Sequence, residues 1–361
     1  MDSRHGAIAA GPVSTASRLA ADEVIRAIVA TPADPPLSPL AALIRPVSAG
    51  WPSAVAESAQ PRAALRTGSW LSASLPVMDT VATVRAAEAP GCAEALERAL
   101  GWFVEVERVC SRFDPESELS RLCRVVGRPV HVSRLLFEAV RVALQVSRVS
   151  AGRFDPTLGA ALASRGFNRH WASGQRLAAP LPPSAHHAGG PRLNIRRQTI
   201  TLTAPVLIDL GAIAKGLAMD LAARELADRD AYCIDAGGDL LVRSGEGQAP
   251  WRIGIEHPRR PGALIATLKV PAGAVCTSGD YERRSGAGHH LLDPHTLEPA
   301  AGLASVTVIA ARATVADALA TAAFVAGPEE GPQLLREQEV DGLLVTPELE
   351  VLQTPGCARW L

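Results

Sequence analysis

An apolar run that stops abruptly at a carboxylate and leads straight into a helical pattern restricts the fold of this chain more than any other feature. Residues 204–208 have the composition of a strand, Asp209 ends the run, and a helical pattern extends from Gly211 to about Ala227. The sequence therefore predicts a strand–turn–helix unit. Such a turn brings main-chain N–H groups, the positive end of a helix and Lys215 to one point, which favours phosphate binding. The spacing of a Walker A loop is absent.

A second glycine-rich turn, Ile234–Asp239, also follows an apolar strand. Neither turn alone indicates a ligand, because glycine at a strand end usually serves the geometry of the turn.

The segment from Val275 to Pro294 has an unusual pair of histidines. A strand-like run (residues 266–275) leads into a Thr-Ser-Gly turn and a charged hairpin, and then His289 and His290 precede a short apolar run that ends in Asp-Pro. Two adjacent histidines beside a glycine-rich turn, outside any periodic helix, favour a chemical role over core packing.

Helical periodicity is strong in three further places. Residues 92–109 and 134–150 each have one apolar face, and Gly152 stands where a left-handed cap would end the second helix. The third helix, residues 314–327, carries Asp317 and Thr321 on one face because they are four residues apart. An N-terminal cap and a back-bonded threonine would explain the pair, and so would a site for a hard cation such as Mg²⁺. Strands are predicted at residues 78–86, 192–200, 251–258 and 304–310.

Phe154 stands between Arg153 and Asp155 directly after the capped helix. It could present its ring for stacking against a ligand or pack beneath the loop, and the sequence leaves both alternatives open.

Composition excludes several classes of protein. The 361 residues are 47% hydrophobic and have a formal net charge of −1, so nothing indicates binding to nucleic acid or to a membrane surface. The six cysteines are widely spread, which favours free thiols over a disulfide framework or a zinc site. We expect no transmembrane segment, and the absence of a compact apolar signal sequence predicts a cytoplasmic protein. Residues 1–70 are dense in proline and alanine and are predicted to form a disordered extension.

Together these patterns indicate a Mg²⁺-dependent reaction on a nucleotide-like phosphate ester or anhydride, without identifying the nucleotide.

Six motifs in order also resemble the ApbE family, the FAD:protein FMN transferases, over residues 75–355. The motifs are Gly152–Thr157, Asp209–Gly216, Asp235–Asp239, Thr277–Glu282, His289–Pro294 and Ala316–Ala322. The resemblance implies an α/β (α+β) single domain with two lobes, in which mixed or antiparallel sheets are flanked by helices. It implies an enzyme that splits FAD with Mg²⁺, joins FMN through a phosphoester to a Thr or Ser of an acceptor flavoprotein, and releases AMP. Family members are often exported.

The resemblance also implies roles for particular residues. FAD contacts are expected at Met78, Phe113, Arg153, Phe154, Asp155, Asp209, Lys215 and Leu292. Mg²⁺ is expected on the side chains of Asp317 and Thr321 and on main-chain oxygens of Ala212 and Ala320. His290 takes the place of the general base.

Two positions depart from the family pattern. Asp79 replaces the glycine of Met-Gly-Thr, and Leu297 replaces the glycine of the turn after Asp293-Pro294. Two alternatives therefore stand beside the transferase: an FAD pyrophosphatase that yields FMN and AMP, and a non-catalytic FAD-binding protein.

Overall fold

The computed structural model describes residues 62–67, 69–169, 174, 176–177, 186 and 190–361. Its α-helices are α1 (Cys92–Cys110), α2 (Glu118–Cys123), α3 (Arg134–Val149), α4 (Gly159–Ser164), α5 (Gly211–Arg224) and α6 (Ala313–Glu337), and a 3₁₀ helix spans Pro355–Arg359. Its strands are β1 (Arg62–Thr67), β2 (Trp70–Val77), β3 (Thr80–Ala87), β4 (Val130–His131), β5 (Arg192–Asn194), β6 (Thr199–Thr201), β7 (Tyr232–Ala236), β8 (Asp239–Arg243), β9 (Trp251–Glu256), β10 (Leu264–Val270), β11 (Ala272–Gly279), β12 (Arg284–Ser285), β13 (Gly288–His289), β14 (Ser305–Ala310), β15 (Asp341–Val345) and β16 (Val351–Gln353).

One large antiparallel sheet organises the domain. Its nine strands lie in the order β1-β2-β3-β7-β8-β11-β14-β15-β16, and every neighbouring pair is antiparallel. Successive side chains of a strand point to opposite faces, so Cys276 belongs to the larger core on the helical side and Val275 to a smaller core under the β9–β10 hairpin. All six residues of β14 are buried because both of its faces are covered.

Helices α1, α5 and α6 cover one face of this sheet. Helix α1 packs on β2, β3 and α5, while α6 packs on α5, β11 and β14. The approach of α5 to α6 is closest at Gly216, where a Cβ atom would lie 2.4 Å from the carbonyl oxygen of Ala313. A glycine is therefore needed for the two helices to meet at this depth.

The predicted helices at residues 92–109 and 134–150 agree with α1 and α3, and Gly152 has the predicted left-handed conformation (φ 85°). Helix α6 follows the predicted pattern as far as Gly327, whose φ of 82° and ψ of −176° interrupt the helix. A second helical segment then continues through Pro328 to Glu337, which the sequence analysis did not predict.

Three strand predictions were wrong, one of them entirely and two in part. Residues 204–208 form no strand, and only Leu207 makes an isolated bridge, to Leu158. The run at residues 266–275 is divided between β10 and β11, and residues 192–200 are divided between β5 and β6. In each case strand pairing depended on the neighbouring chain, which the local composition does not specify.

At the N-terminus, β1 lies within the stretch that was predicted as an extension, and residues 1–61 lie outside the described part of the chain. No helix of the described residues has the length and apolar character to cross a membrane. The prediction of a single domain of helices on antiparallel sheet is confirmed.

Candidate active site

A cleft of about 730 Å³ opens at the ends of the central strands, and it is called the central cleft below. Its volume lies within the range of small-molecule sites, roughly 300–1,000 Å³. The cleft brings together all but one of the predicted site residues: Met78, Phe113, Arg153, Phe154, Asp155, Asp209, Ala212, Lys215, His290, Leu292, Asp317 and Thr321. Ala320 is buried on α6 and does not line the cleft.

Lys215 of α5 lies between two carboxylates, and these three residues are called the lysine centre. Its Nζ lies 3.0 Å from Oδ2 of Asp239 and 3.2 Å from Oδ1 of Asp317. The second oxygen of Asp317 accepts a hydrogen bond from the main-chain N–H of Gly216 at 3.1 Å. The short approach of α5 to α6 at Gly216 therefore makes the meeting of Lys215 and Asp317 possible.

The charged groups of the lysine centre shift one another's pKa. Burial by itself lowers the pKa of Lys215, but Asp239 and Asp317 outweigh it and raise the pKa. Burial raises the pKa of Asp317, while Lys215 opposes that rise. With both carboxylates ionised, the centre has one negative charge in excess, which a bound cation would offset.

The donors around the lysine centre fit Mg²⁺. Thr321 lies one turn beyond Asp317 on α6, and its Oγ1 is 3.2 Å from Oγ of Ser278. No group of three or more His, Cys, Asp or Glu suited to a metal ion occurs in the described part of the chain. Mg²⁺ commonly uses only one or two carboxylates and completes its shell with other oxygens, including ligand phosphates. The carboxylate oxygens of Asp317 and Asp239 and the hydroxyl oxygen of Thr321 are donors of this kind.

A second cation of the cleft, Arg112, is buried; it follows the end of α1 and pairs with Asp209, and these two residues are called the arginine centre. Nε of Arg112 donates to Oδ2 of Asp209, and Oδ1 of Asp209 accepts the N–H of Gly211 at the start of α5. Burial lowers the pKa of Arg112, against the pull of Asp209. Burial also raises the pKa of Asp209, but Arg112 and the Gly211 N–H outweigh it and hold that pKa below its usual value. The arginine centre is a neutral ion pair.

The two histidines have different surroundings. His289 is buried, with Nε2 3.1 Å from the carbonyl oxygen of Ala300 and its ring edge-on to Phe324. His290 lines the cleft, edge-on to Phe167 at 6.1 Å between ring centroids. Burial, helped by the charge of Arg283, lowers the pKa of His290 to about 4. Its imidazole is therefore neutral near pH 7 and can accept a proton.

The remaining predicted contacts are each held by protein neighbours. Phe154 is only 5% exposed and belongs to the larger core. Its ring therefore packs beneath the loop, which is one of the two alternatives that the sequence left open. Arg153 pairs with Glu330 of α6 at 2.6 Å, and Oδ1 of Asp155 accepts bonds from the N–H and hydroxyl of Thr157. Leu292 is buried.

Both departures from the family pattern fall where the backbone is left-handed. Asp79 has a φ of 63° and Leu297 a φ of 60°, values that glycine adopts with far less strain. The Asp79 side chain turns toward Arg283, with Oδ2 2.6 Å from Nη2. Because both residues line the central cleft, this ion pair joins two of its walls.

The sequence analysis missed Asp239, Arg112 and Arg283 as site residues. Asp239 had a usable signal, because it ends the Gly237-Gly238 turn that was singled out. Arg112 and Arg283 had none, since their partners Asp209 and Asp79 are 97 and 204 residues away along the chain.

The fold and the cleft define a class: an antiparallel α+β domain with a large cleft that contains both a lysine between two carboxylates and a neutral histidine. The model of the ApbE family matches residues 78–344, so the chain belongs to the ApbE family, as its motifs predicted.

Relatives and solved structures agree with this membership. The FAD:protein FMN transferase of Treponema pallidum is 34% identical over 315 residues, which cover 78% of this chain and 85% of the relative. That of Rhodobacter capsulatus is 33% identical over 261 residues, and the match covers 66% of this chain but only about half of the relative (48%). The crystal structure of the ApbE protein of Thermotoga maritima has a TM-score of 0.69 at 27% identity, covering 82% of this chain and 98% of that one. The names of these relatives agree with the predicted transferase class.

Proposed function

We propose that this protein is a Mg²⁺-dependent FAD:protein FMN transferase. It cleaves the pyrophosphate of FAD, attaches FMN to a Thr or Ser of an acceptor flavoprotein, and releases AMP. The observation that carries the proposal is the lysine centre, where one ammonium and two carboxylates meet in the same cleft as a neutral His290. FAD is the substrate class that the names of the relatives supply.

The proposed roles follow from charge. Lys215 and the N-terminal end of α5 would attract the phosphates of FAD, because a cation and the positive end of the helix dipole lie together there. Asp317 and Thr321, with main-chain oxygens of Ala212 and Ala320, would hold Mg²⁺. Bound there, Mg²⁺ would supply neutralisation of the negative charge on the phosphate oxygens.

His290 would act as the general base. The hydroxyl oxygen of the acceptor forms a bond to the FMN phosphorus, the bond from that phosphorus to the oxygen of AMP breaks, and AMP leaves with the electron pair. The hydroxyl proton goes to the neutral imidazole of His290, which the low pKa keeps unprotonated. The flavin would lie beside Met78 and Phe113, with Arg153, Phe154, Asp155, Asp209 and Leu292 on the surrounding walls of the cleft.

The test uses the full chain with FAD, Mg²⁺ and an acceptor flavoprotein that has a threonine flavinylation site. Covalent transfer is read as in-gel flavin fluorescence of the acceptor, and AMP is quantified in the same reaction. The matched control is the same acceptor with alanine in place of that threonine. We expect one AMP released for each FMN attached, and no fluorescent band with the alanine acceptor.

Other outcomes separate the alternatives. AMP and free FMN without labelling of the acceptor would identify a pyrophosphatase. Tight FAD binding with no AMP at saturating Mg²⁺ would identify a binding protein, and either result would overturn the transferase proposal.

A further inference from the structure

Arg112 holds three walls of the central cleft together. Its Nε pairs with Asp209, its Nη2 donates to the carbonyl oxygen of Phe167 at 2.6 Å, and its guanidinium carbon lies 4.0 Å from the centre of the Phe113 ring. The side chain is 5% exposed and lines the cleft itself. None of the roles assigned above uses it.

One donor of this guanidinium is left over. Nη1 is buried, and within the described part of the chain it has no hydrogen-bond partner. A buried donor without an acceptor destabilises a protein, and such groups are rare in native structures unless a ligand or water satisfies them. Arg112 lines the cleft, and a bound molecule that shifts the side chains covering Nη1 can supply the missing acceptor.

The charge around Arg112 restricts the chemistry of that acceptor. Asp209 already neutralises the guanidinium, so the arginine centre offers a directed N–H group without a net positive charge. A neutral carbonyl oxygen suits such a donor better than a phosphate, which would meet the carboxylate of Asp209. The adjacent Phe113 ring also favours a planar, aromatic ligand.

We propose that Nη1 of Arg112 donates a hydrogen bond to a ring carbonyl of the isoalloxazine of FAD. Arg112 is then a specificity residue that selects a flavin through its ring, while the lysine centre binds the phosphates. This inference rests on the proposed function.

The test compares ligands that contain only one part of FAD. Dissociation constants for FAD, riboflavin and ADP are measured with Mg²⁺ for the wild type, Arg112→Lys and Arg112→Gln, together with their thermal stability. Arg98→Lys is the matched control, because Arg98 pairs with Glu225 outside the cleft. Lysine keeps the charge that Asp209 requires but lacks the second and third N–H arms of the fork.

We expect Arg112→Lys to weaken the binding of FAD and of riboflavin by a similar factor, about 10-fold or more, and to leave the binding of ADP nearly unchanged. Arg98→Lys should change none of the three. If Arg112 had a purely structural role, its replacement would loosen the whole cleft and weaken the binding of riboflavin and of ADP alike. That result would overturn the proposal.

A second measurement needs no variant. Sulfur accepts hydrogen bonds more weakly than oxygen, so the wild type should bind either 2-thioriboflavin or 4-thioriboflavin less tightly than riboflavin. Equal binding of all three would overturn the proposal. If the wild type transfers FMN and the Arg112 variants bind FAD and riboflavin as tightly as the wild type does, this inference alone fails. If the wild type neither binds FAD nor transfers FMN, the proposed function fails first.

Discussion

Lys215 and Arg112 are both cations of the central cleft, but the carboxylate charge around them differs. Lys215 meets two carboxylates, Asp239 and Asp317, whereas Arg112 meets one, Asp209. The lysine centre has negative charge to spare and therefore suits a divalent cation with its phosphates. The arginine centre is neutral and suits an uncharged polar edge. Under the proposed function, one cleft would thus bind the two chemically different ends of an FMN unit.

The largest expected effect comes from removing one charge of the lysine centre. Asp317→Asn keeps the size of the side chain but takes away a carboxylate, so we expect Mg²⁺-dependent transfer to fall by about 10³-fold or more. AMP release across a Mg²⁺ titration measures this.

The matched control is Asp341→Asn, a buried carboxylate on β15 that bonds Arg359 and Trp360 outside the cleft. It should lower thermal stability and leave activity per folded molecule unchanged. Full activity of Asp317→Asn with an unaltered Mg²⁺ titration would show that the cation is not bound at the lysine centre.

Removing each cation in turn tests the comparison directly. Arg112→Met leaves Asp209 unpaired and should lower the free energy of unfolding by about 3 kcal/mol. Lys215→Met leaves two carboxylates facing each other, so Mg²⁺ should restore part of its lost stability and restore none in Arg112→Met. Thermal unfolding with and without Mg²⁺ measures both. An equal response of the two variants to Mg²⁺ would remove the distinction between the centres.

The protonation of His290 gives a pH prediction. Because burial lowers its pKa to about 4, the acid limb of kcat/KM should lie near pH 4 to 5 instead of near the ordinary histidine value of about 6.5. Unfolding returns the pKa of His290 to about 6.5. Between pH 4 and about 6.5 the unfolded chain therefore binds a proton that the folded chain does not. The free energy of unfolding should therefore fall as pH drops from about 6.5 to 4.

His290→Gln should lose this part of the pH dependence of stability. It should also reduce transfer more than FAD binding, and equal losses in both would make His290 a binding residue instead of a base.

The smallest effect concerns the ion pair between Asp79 and Arg283 in the lining of the cleft. Asp79→Gly and Asp79→Ala both remove the ion pair with Arg283, but only glycine relieves the left-handed backbone at φ 63°. The glycine variant should be more stable than the alanine variant by about 1 kcal/mol. Denaturant unfolding of the two proteins side by side measures the difference, and equal stabilities would mean that the turn relaxes around alanine.

The sequence by itself determined the features that depend on local spacing. Helices α1 and α3 followed from apolar periodicity, and Asp317 and Thr321 shared a face because residues four apart on a helix are neighbours. The order of six motifs also identified the family, and the cleft contains twelve of the predicted site residues. Their individual roles stay predictions.

Only the tertiary structure decided which charges meet. Asp317 reaches Lys215 across 102 residues because Gly216 lets α6 approach α5, and Arg112 reaches Asp209 across 97. Residues 204–208 had strand composition and yet form no strand, since pairing needs a neighbouring strand that local sequence cannot specify. Local periodicity is set within a few residues, whereas the two charge centres arise from packing between elements far apart in the chain.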